Sequence, residues 1–99
     1  MKKLYITVTG LGFRYGTKFL ERGMILNLKK EPNNEHDKEA IEVKLEGLGR
    51  IGYVANSART VLGECHSAGY IYNKIGFTAN AKVLYVLEDM NSAICELLA

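Results

Sequence analysis

The chain has 99 residues, of which 47% are hydrophobic and 24% charged, and its 13 Lys and Arg exceed its 11 Asp and Glu to give a formal net charge of +2. This composition is typical of one small globular domain, and it excludes both a disordered chain and a protein that coats nucleic acid by charge alone. Polar and apolar residues alternate after Lys2 and Lys3 and no apolar run approaches a membrane span, so we expect a cytoplasmic protein with no signal peptide and no membrane contact.

Alternating apolar residues predict about six short strands. Leu4, Ile6 and Val8 define the first strand, and a glycine-containing turn joins the third strand to the fourth. The predicted strands cover residues 4–9, 24–30, 41–46, 50–54, 71–77 and 81–88.

Two other segments have helical spacing. Ala58, Val61, Leu62 and Cys65 fall at i, i+3, i+4 and i+7, which predicts an internal helix, and an apolar stripe over about 89–98 predicts a C-terminal helix. The predicted fold class is therefore α+β, mainly β: a single domain over 1–99 whose strands close, or nearly close, into a small barrel.

The two cysteines, Cys65 and Cys95, are too few and too far apart for a disulfide framework or a Cys-x-x-Cys metal site. Both fall on the predicted helical stripes. We therefore expect two buried free thiols.

A glycine-rich segment, TGLGFRYG over residues 9–16, follows the first strand. Its glycine spacing is one residue off the dinucleotide-binding fingerprint, and a strand rather than a helix follows it. The segment therefore predicts an exposed loop that presents Phe13, Arg14 and Tyr15.

The densest polar stretch, PNNEHDK over residues 32–38, lies between two predicted strands. One interpretation is a turn whose Asn side chains cap their own backbone. That interpretation leaves the adjacent His36 and Asp37 unexplained. We expect no metal site and no enzyme, because the chain has only two histidines and no Ser or Cys is placed as a nucleophile.

Tyr53 follows a glycine inside the fourth predicted strand. Its ring either packs in the core or lies half-buried beside a backbone that a ligand approaches closely. The pattern alone leaves both interpretations open.

Taken together, three segments resemble the HIRAN domain. They are Thr9-Gly10 with the aromatic Phe13, the run EPNNEHDKEAIEV over 31–43, and RIGYV over 50–54 followed by an Ala-containing predicted helix. The resemblance covers about residues 4–88 and implies an OB-like β-barrel. In helicase-linked members of that family the domain binds single-stranded DNA and captures its 3′ end, which makes single-stranded DNA the expected partner.

The resemblance also implies roles for individual residues. Phe13 falls where the family places a base-stacking aromatic, and Asn34, His36 and Asp37 fall in the turn that meets the terminal nucleotide. Asp37 would accept a hydrogen bond from the 3′ hydroxyl. Tyr53 would flank the pocket, and Phe77 is a further candidate.

The chain departs from the family pattern at two positions. Gly12 precedes Phe13 where DNA-binding members tend to have a basic residue, and Asn56 stands where they tend to have a phosphate-binding Lys. Both departures remove positive charge. The candidate phosphate contacts that remain are Arg14, Lys38 and Arg50.

Two functions from different classes therefore remain open. The first is a module that binds single-stranded DNA and recognises the 3′-hydroxyl end. The second is a protein-interaction module on the same barrel, or self-association, through the predicted C-terminal helix. Neither function requires a cofactor or a metal.

Overall fold

The computed structural model describes residues 2–98, which form a closed barrel of six strands. The strands are β1 Tyr5–Thr9, β2 Ile25–Lys30, β3 Ile41–Leu45, β4 Gly49–Val54, β5 Thr78–Leu87 and β6 Ser92–Leu98. They are hydrogen-bonded in the order β1-β4-β3-β2-β5-β6, and all neighbouring pairs are antiparallel. The prediction of a small, mainly β barrel is thereby confirmed.

The core fills the barrel because alternate residues of each strand point inward. Leu26 and Leu28 of β2 are fully buried, whereas the neighbouring Asn27 and Lys29 are exposed. Val43 and Val83 extend the same apolar interior from β3 and β5. Within residues 2–98, no helix has the length and apolar character needed to cross a membrane.

The predicted internal helix over 58–65 is wrong, since this segment is a series of turns. The Ser57 and Thr60 side chains bond to each other at 3.0 Å, and Gly63 has a left-handed φ of 53°, which interrupts helical geometry. The α-helix of the structure, α1, lies later at Ala68–Tyr72, where the side chain of Ser67 caps it by accepting a hydrogen bond from the amide of Tyr70 at 3.1 Å.

The predicted strand over 71–77 is also wrong, because Ile71 belongs to α1 and turns occupy the following residues. Ile71 is fully buried there as part of the helix. The fifth strand is instead β5, which is longer than the predicted 81–88 and begins at Thr78.

The predicted C-terminal helix is wrong as well, since residues 92–98 form β6, which closes the barrel by pairing with β1 and β5. Ala93 and Cys95 are fully buried and Leu97 packs on the core, so the segment alternates with the period of a strand. Asn91, with φ 47°, makes the tight turn before it. No separate apolar helix is therefore left at this end for a partner protein.

The two cysteines differ in their environments. Cys95 is buried inside the barrel on β6, whereas Cys65 is half-buried in a loop. Both are free, as expected, but neither is helical and the expectation of burial is wrong for Cys65. Burial raises the pKa of Cys95 to about 12, with a smaller contribution from the nearby Cys65.

Gly52 lets β1 and β4 approach closely. A Cβ atom at this position would collide with the carbonyl oxygen of Thr9 and would lie 3.2 Å from the side chain of Leu11. Leu11 begins the 3-10 turn Leu11–Phe13 that follows β1. The glycine in β4 thus positions both the β1 backbone and the start of this turn.

Candidate functional site

A cleft of about 560 Å³ lies between the 31–40 loop, which joins β2 to β3, and the segment that follows β4. Five of the residues expected at a site line it, and Arg50, a candidate phosphate contact, lines it too. The complete lining is Asn34, His36, Asp37, Ala40, Arg50, Tyr53, Val54, Asn56, Ser57 and Thr60.

Asn34 organises the loop side of the cleft. Its Oδ1 accepts hydrogen bonds from the amides of His36 at 2.8 Å and Asp37 at 3.0 Å, and its Nδ2 donates to Glu31 Oε1 at 3.0 Å. This is the capping pattern of an Asx turn, so the turn interpretation accounts for Asn34. It also fixes the direction in which the side chains of His36 and Asp37 leave the loop.

Asp37 presents a carboxylate whose two oxygens each accept one hydrogen bond. Oδ1 accepts from the amide of Glu39 at 2.9 Å, and Oδ2 accepts from Asn56 Nδ2 at 2.9 Å. The three ion pairs of residues 2–98 do not include Asp37. Because a carboxylate has about four acceptor positions, this group is held in place and retains acceptor capacity toward the cleft.

Asn56 connects this carboxylate to the rest of the fold. While its Nδ2 donates to Asp37, its Oδ1 accepts from the amide of Gly69 in α1 at 2.7 Å. The side chain of Asn56 therefore bridges the 31–40 loop and α1. A lysine side chain at this position could not accept a hydrogen bond from the backbone N–H of Gly69. The asparagine that departs from the family pattern therefore makes a contact with α1 that a lysine could not make.

Tyr53 leads to a charged network on the outside of the barrel. Its hydroxyl donates to Glu31 Oε1 at 2.8 Å, and its half-buried ring lies 5.4 Å from the guanidinium of Arg50. Arg50 Nε in turn donates to Glu42 Oε2 at 2.8 Å. The ring is half-buried and lines the cleft, so the core-packing interpretation is wrong, and the backbone that approaches Gly52 is that of β1.

The network shifts the pKa values of its members. Burial raises the pKa of Glu31, but hydrogen bonds from Asn34 and Tyr53 and the charge of Arg50 outweigh it, so this pKa lies below the ordinary 4.5. Burial and the hydrogen bond to Glu31 raise the pKa of Tyr53. The hydrogen bond to Glu42 raises the pKa of Arg50. Glu31 is thus ionised near neutral pH.

Four candidates do not line the cleft. Phe13 is 94% exposed and Arg14 is exposed beside it in the turn after β1. Lys38 is an exposed residue of the 31–40 loop, and Phe77 is exposed just before β5. The structure therefore brings together the 34–37 turn, Tyr53 and Asn56, and leaves these four at other positions on the surface.

Glu31 and Glu42 have parts in this site that the sequence analysis did not assign. Glu42 is an outward-facing strand residue that is only 8% exposed, because Arg50 covers it. The pairing of β3 with β4 could have indicated these roles, because it places Glu42 opposite Tyr53 and Lys44 opposite Arg50. Among residues 2–98, no group of three or more His, Cys, Asp or Glu side chains is arranged to hold a metal ion.

Comparisons with known proteins agree with this fold. A family model described as "HIRAN domain" matches residues 1–91. The crystal structure of the HIRAN domain of human HLTF superposes with a TM-score of 0.67 at 20% identity, covering 96% of this chain and 72% of that chain. The crystal structure of a protein from Lactobacillus plantarum superposes with a TM-score of 0.66 at 19% identity, covering 96% of this chain and 90% of that chain. No curated protein matches the chain.

Proposed function

Because this chain belongs to the HIRAN domain family, we propose that it is a binding module for single-stranded DNA and that its cleft receives the 3′-hydroxyl end of the strand. The observation that carries the proposal is the carboxylate of Asp37, which two N–H donors hold in place at the cleft and which forms no ion pair within residues 2–98.

A carboxylate in this position can distinguish an end of a strand from its middle. A free 3′ hydroxyl donates a hydrogen bond to it, and such a charge-assisted bond is stronger than a neutral one. An internal nucleotide, or a 3′-phosphorylated end, places a phosphate at the same point, and the like charges repel. Asp37 would therefore supply selectivity with little general affinity.

Aromatic rings would supply affinity that depends little on sequence. Tyr53 and His36 line the cleft, and Phe13 is an exposed ring on the turn after β1. Stacking of a base on one ring contributes about 1–3 kcal/mol. Two or three such contacts are enough for a weak, sequence-tolerant module.

The alternative of a protein-interaction module loses one of its two supports, because the helix that suggested it is β6 of the barrel. Its other support is the absence of basic residues at Gly12 and Asn56. The proposal is likewise one of binding rather than catalysis. The two aliphatic hydroxyls at the cleft, on Ser57 and Thr60, bond to each other at 3.0 Å and are not activated as nucleophiles by that contact.

The test compares two fluorescein-labelled twelve-nucleotide strands that differ only in a 3′ hydroxyl or a 3′ phosphate, by anisotropy at pH 7. We expect tighter binding of the 3′-hydroxyl strand, with amide shifts centred on residues 34–37 and 53. A matched pair that differs only in its 5′ end serves as the control and is expected to bind equally. Equal affinity for the two 3′ ends would contradict end recognition, and no binding at low salt would contradict the DNA-binding function itself.

A further inference from the structure

A second depression, of about 1,090 Å³, is larger than the cleft. It lies beside the paired strands β2 and β5 and is bordered by residues 2–4 and 97–98. Apolar side chains form part of its lining, and five lysines surround them; we call it the lysine groove. These lysines are Lys2, Lys3, Lys29, Lys44 and Lys74.

The lysine groove concentrates the positive charge of the molecule. No acidic residue is among the lining residues, which belong to the described range 2–98. Five of the 13 basic residues are therefore at the groove, and eight remain against all 11 acidic residues elsewhere in the sequence. Of the three ion pairs within residues 2–98, one involves a groove lysine, namely Lys3 with Glu96 at 3.8 Å.

The candidate cleft has no such excess of positive charge. Its charged lining residues are Asp37 and Arg50, and the 31–40 loop on one side of it contains four carboxylates and one lysine. A polyanion such as a nucleic acid is repelled there by charge unless another surface holds it. The lysine groove has the charge that the cleft lacks.

Strand register shows that the two depressions share one face of the barrel. On the outer surface, Asn80 of β5 is paired with Asn27 of β2, Asn27 with Lys44 of β3, and Lys44 with Arg50 of β4. Asn27 and Lys44 line the groove, whereas Arg50 lines the cleft. Three strand spacings of about 4.8 Å make this row about 14 Å long.

The groove end of this face also presents an exposed aromatic ring. Phe77 is 56% exposed, and the ammonium of Lys29 lies 5.9 Å from the centre of its ring. A cation next to an open ring face is the combination that single-strand-binding proteins use for a phosphate and its neighbouring base. Phe77 lines neither depression, but its contact with Lys29 places it next to the lysine groove.

We propose that the lysine groove holds the phosphodiester backbone of the same DNA strand whose 3′ end the cleft receives, and that the strand crosses the outer face of β3 and β2 between them. This inference rests on the proposed function. The two surfaces then have different roles: Asp37 at the cleft selects the end, and the lysines of the groove add electrostatic affinity to that of the aromatic rings. A dinucleotide has a single phosphodiester, next to its 3′ end, whereas a twelve-nucleotide strand has many more phosphates farther from that end that can occupy the lysine groove.

The test is the double variant Lys29→Gln/Lys44→Gln. We expect about tenfold weaker binding of a twelve-nucleotide 3′-hydroxyl strand, and a salt slope smaller by about 1.4, because each lysine that contacts a phosphate contributes roughly 0.7. Binding of a 3′-hydroxyl dinucleotide, followed by amide shifts, is expected to stay within about twofold. The control is Lys18→Gln/Arg22→Gln, which removes two charges from exposed residues that line neither depression.

The outcomes separate this inference from the proposed function. Equal weakening by the control pair, or equal weakening of both ligand lengths, would overturn the role of the groove. If the twelve-nucleotide strand depends on the two lysines but its 3′-hydroxyl and 3′-phosphate forms bind equally, the groove is upheld and end recognition fails. If the ends are distinguished and the lysines have no effect, the groove alone fails. No binding of any strand at about 20 mM salt overturns both.

Discussion

The hydroxyl of Tyr53 on β4 donates a 2.8 Å hydrogen bond to the carboxylate of Glu31, the first residue after β2. Because Glu31 also accepts from Asn34, this one carboxylate connects the barrel wall to the turn that positions Asp37. The stability of the loop and the geometry of the cleft therefore depend on the same contact.

Tyr53→Phe removes this hydrogen bond, and we expect a loss of about 1 kcal/mol in the free energy of unfolding at pH 7. The pKa of Glu31 is lowered in the folded protein, so its contribution is present above the unfolded value of about 4.5 and is lost as the pH falls through the folded value. The difference between the two proteins should therefore shrink in acid. Urea unfolding at pH 7 and pH 3.5 measures the difference in free energy of unfolding between the unmutated protein and Tyr53→Phe. The control is Tyr85→Phe, which changes an exposed tyrosine. An equal difference at both pH values would show that the Tyr53 hydrogen bond does not depend on the ionisation of Glu31.

Asp37→Asn is expected to reduce the preference for a 3′-hydroxyl over a 3′-phosphate strand by about tenfold, because the neutral amide neither repels a phosphate nor accepts as strongly. Its oxygen can still accept from the amide of Glu39, which preserves the turn. Anisotropy titrations with the two strands give the ratio of their dissociation constants for each variant. Glu35→Gln removes the same charge from an exposed residue of the loop outside the cleft and should leave the ratio unchanged. An unchanged ratio for Asp37→Asn would remove this carboxylate from end recognition.

Asn56→Ala removes both hydrogen bonds of the bridge and leaves the amide of Gly69 without its acceptor. We expect a loss of about 1–2 kcal/mol in stability and faster hydrogen exchange at Gly69 than in the unmutated protein. Denaturant titration and amide exchange by NMR measure the two effects. Asn33→Ala changes an exposed asparagine of the neighbouring loop and is expected to have little effect. Equal exchange at Gly69 in both variants would show that the bridge is not maintained in solution.

Gly52→Ala forces a Cβ atom against the carbonyl oxygen of Thr9, where the backbone and not a flexible side chain must move. We expect destabilisation of about 3 kcal/mol or more. Gly76→Ala is the matched control, because its Cβ would lie 3.6 Å from the nearest carbonyl oxygen, that of Thr78, in ordinary contact. Thermal unfolding of the two variants compares them directly. Similar melting temperatures would mean that β1 and β4 are farther apart than described.

Strands β1, β2 and β3 could be predicted because apolar and polar residues alternate along each short run, which is a local property, and β4 could be predicted from the glycine-containing turn that precedes it. The helix predicted at the C-terminus failed because Ala93, Cys95 and Leu97 fit a period of two, while neighbouring apolar residues also fit a helical stripe. Pairing with β1 and β5 makes this segment a strand rather than a helix, and the pairing with β1 joins residues far apart in the chain. Local periodicity carries no information about barrel closure.

The site was predictable to a similar extent. The 34–37 turn and Tyr53 stand out as polar or aromatic residues in a specific motif, and the cleft brings them together. The contact of Glu31 with Tyr53 and the bridge from Asn56 to Gly69 depend on three-dimensional neighbours. The sequence did not indicate the lysine groove, because its five lysines come from four separate places in the chain and only Lys2 and Lys3 are adjacent.

Thiol reactivity gives a test of the fold that does not depend on any ligand. Cys95 is fully buried on β6 and its pKa is raised to about 12, so both access and the thiolate population are very low. Cys65 is half-buried in a loop and open to reagents. With Ellman's reagent at pH 8 we therefore expect one thiol to react in the native protein and two in about 6 M guanidinium.

The variants Cys65→Ala and Cys95→Ala assign the two reactions. The thiol that remains in Cys65→Ala should react only as fast as the protein unfolds, and its rate should rise with urea in parallel with the unfolded fraction. The thiol that remains in Cys95→Ala should react at a rate nearly independent of low urea concentrations. Two native thiols of similar rate would be inconsistent with β6 as a closing strand, because a solvent-exposed helix at 89–98 leaves Cys95 within reach of the reagent.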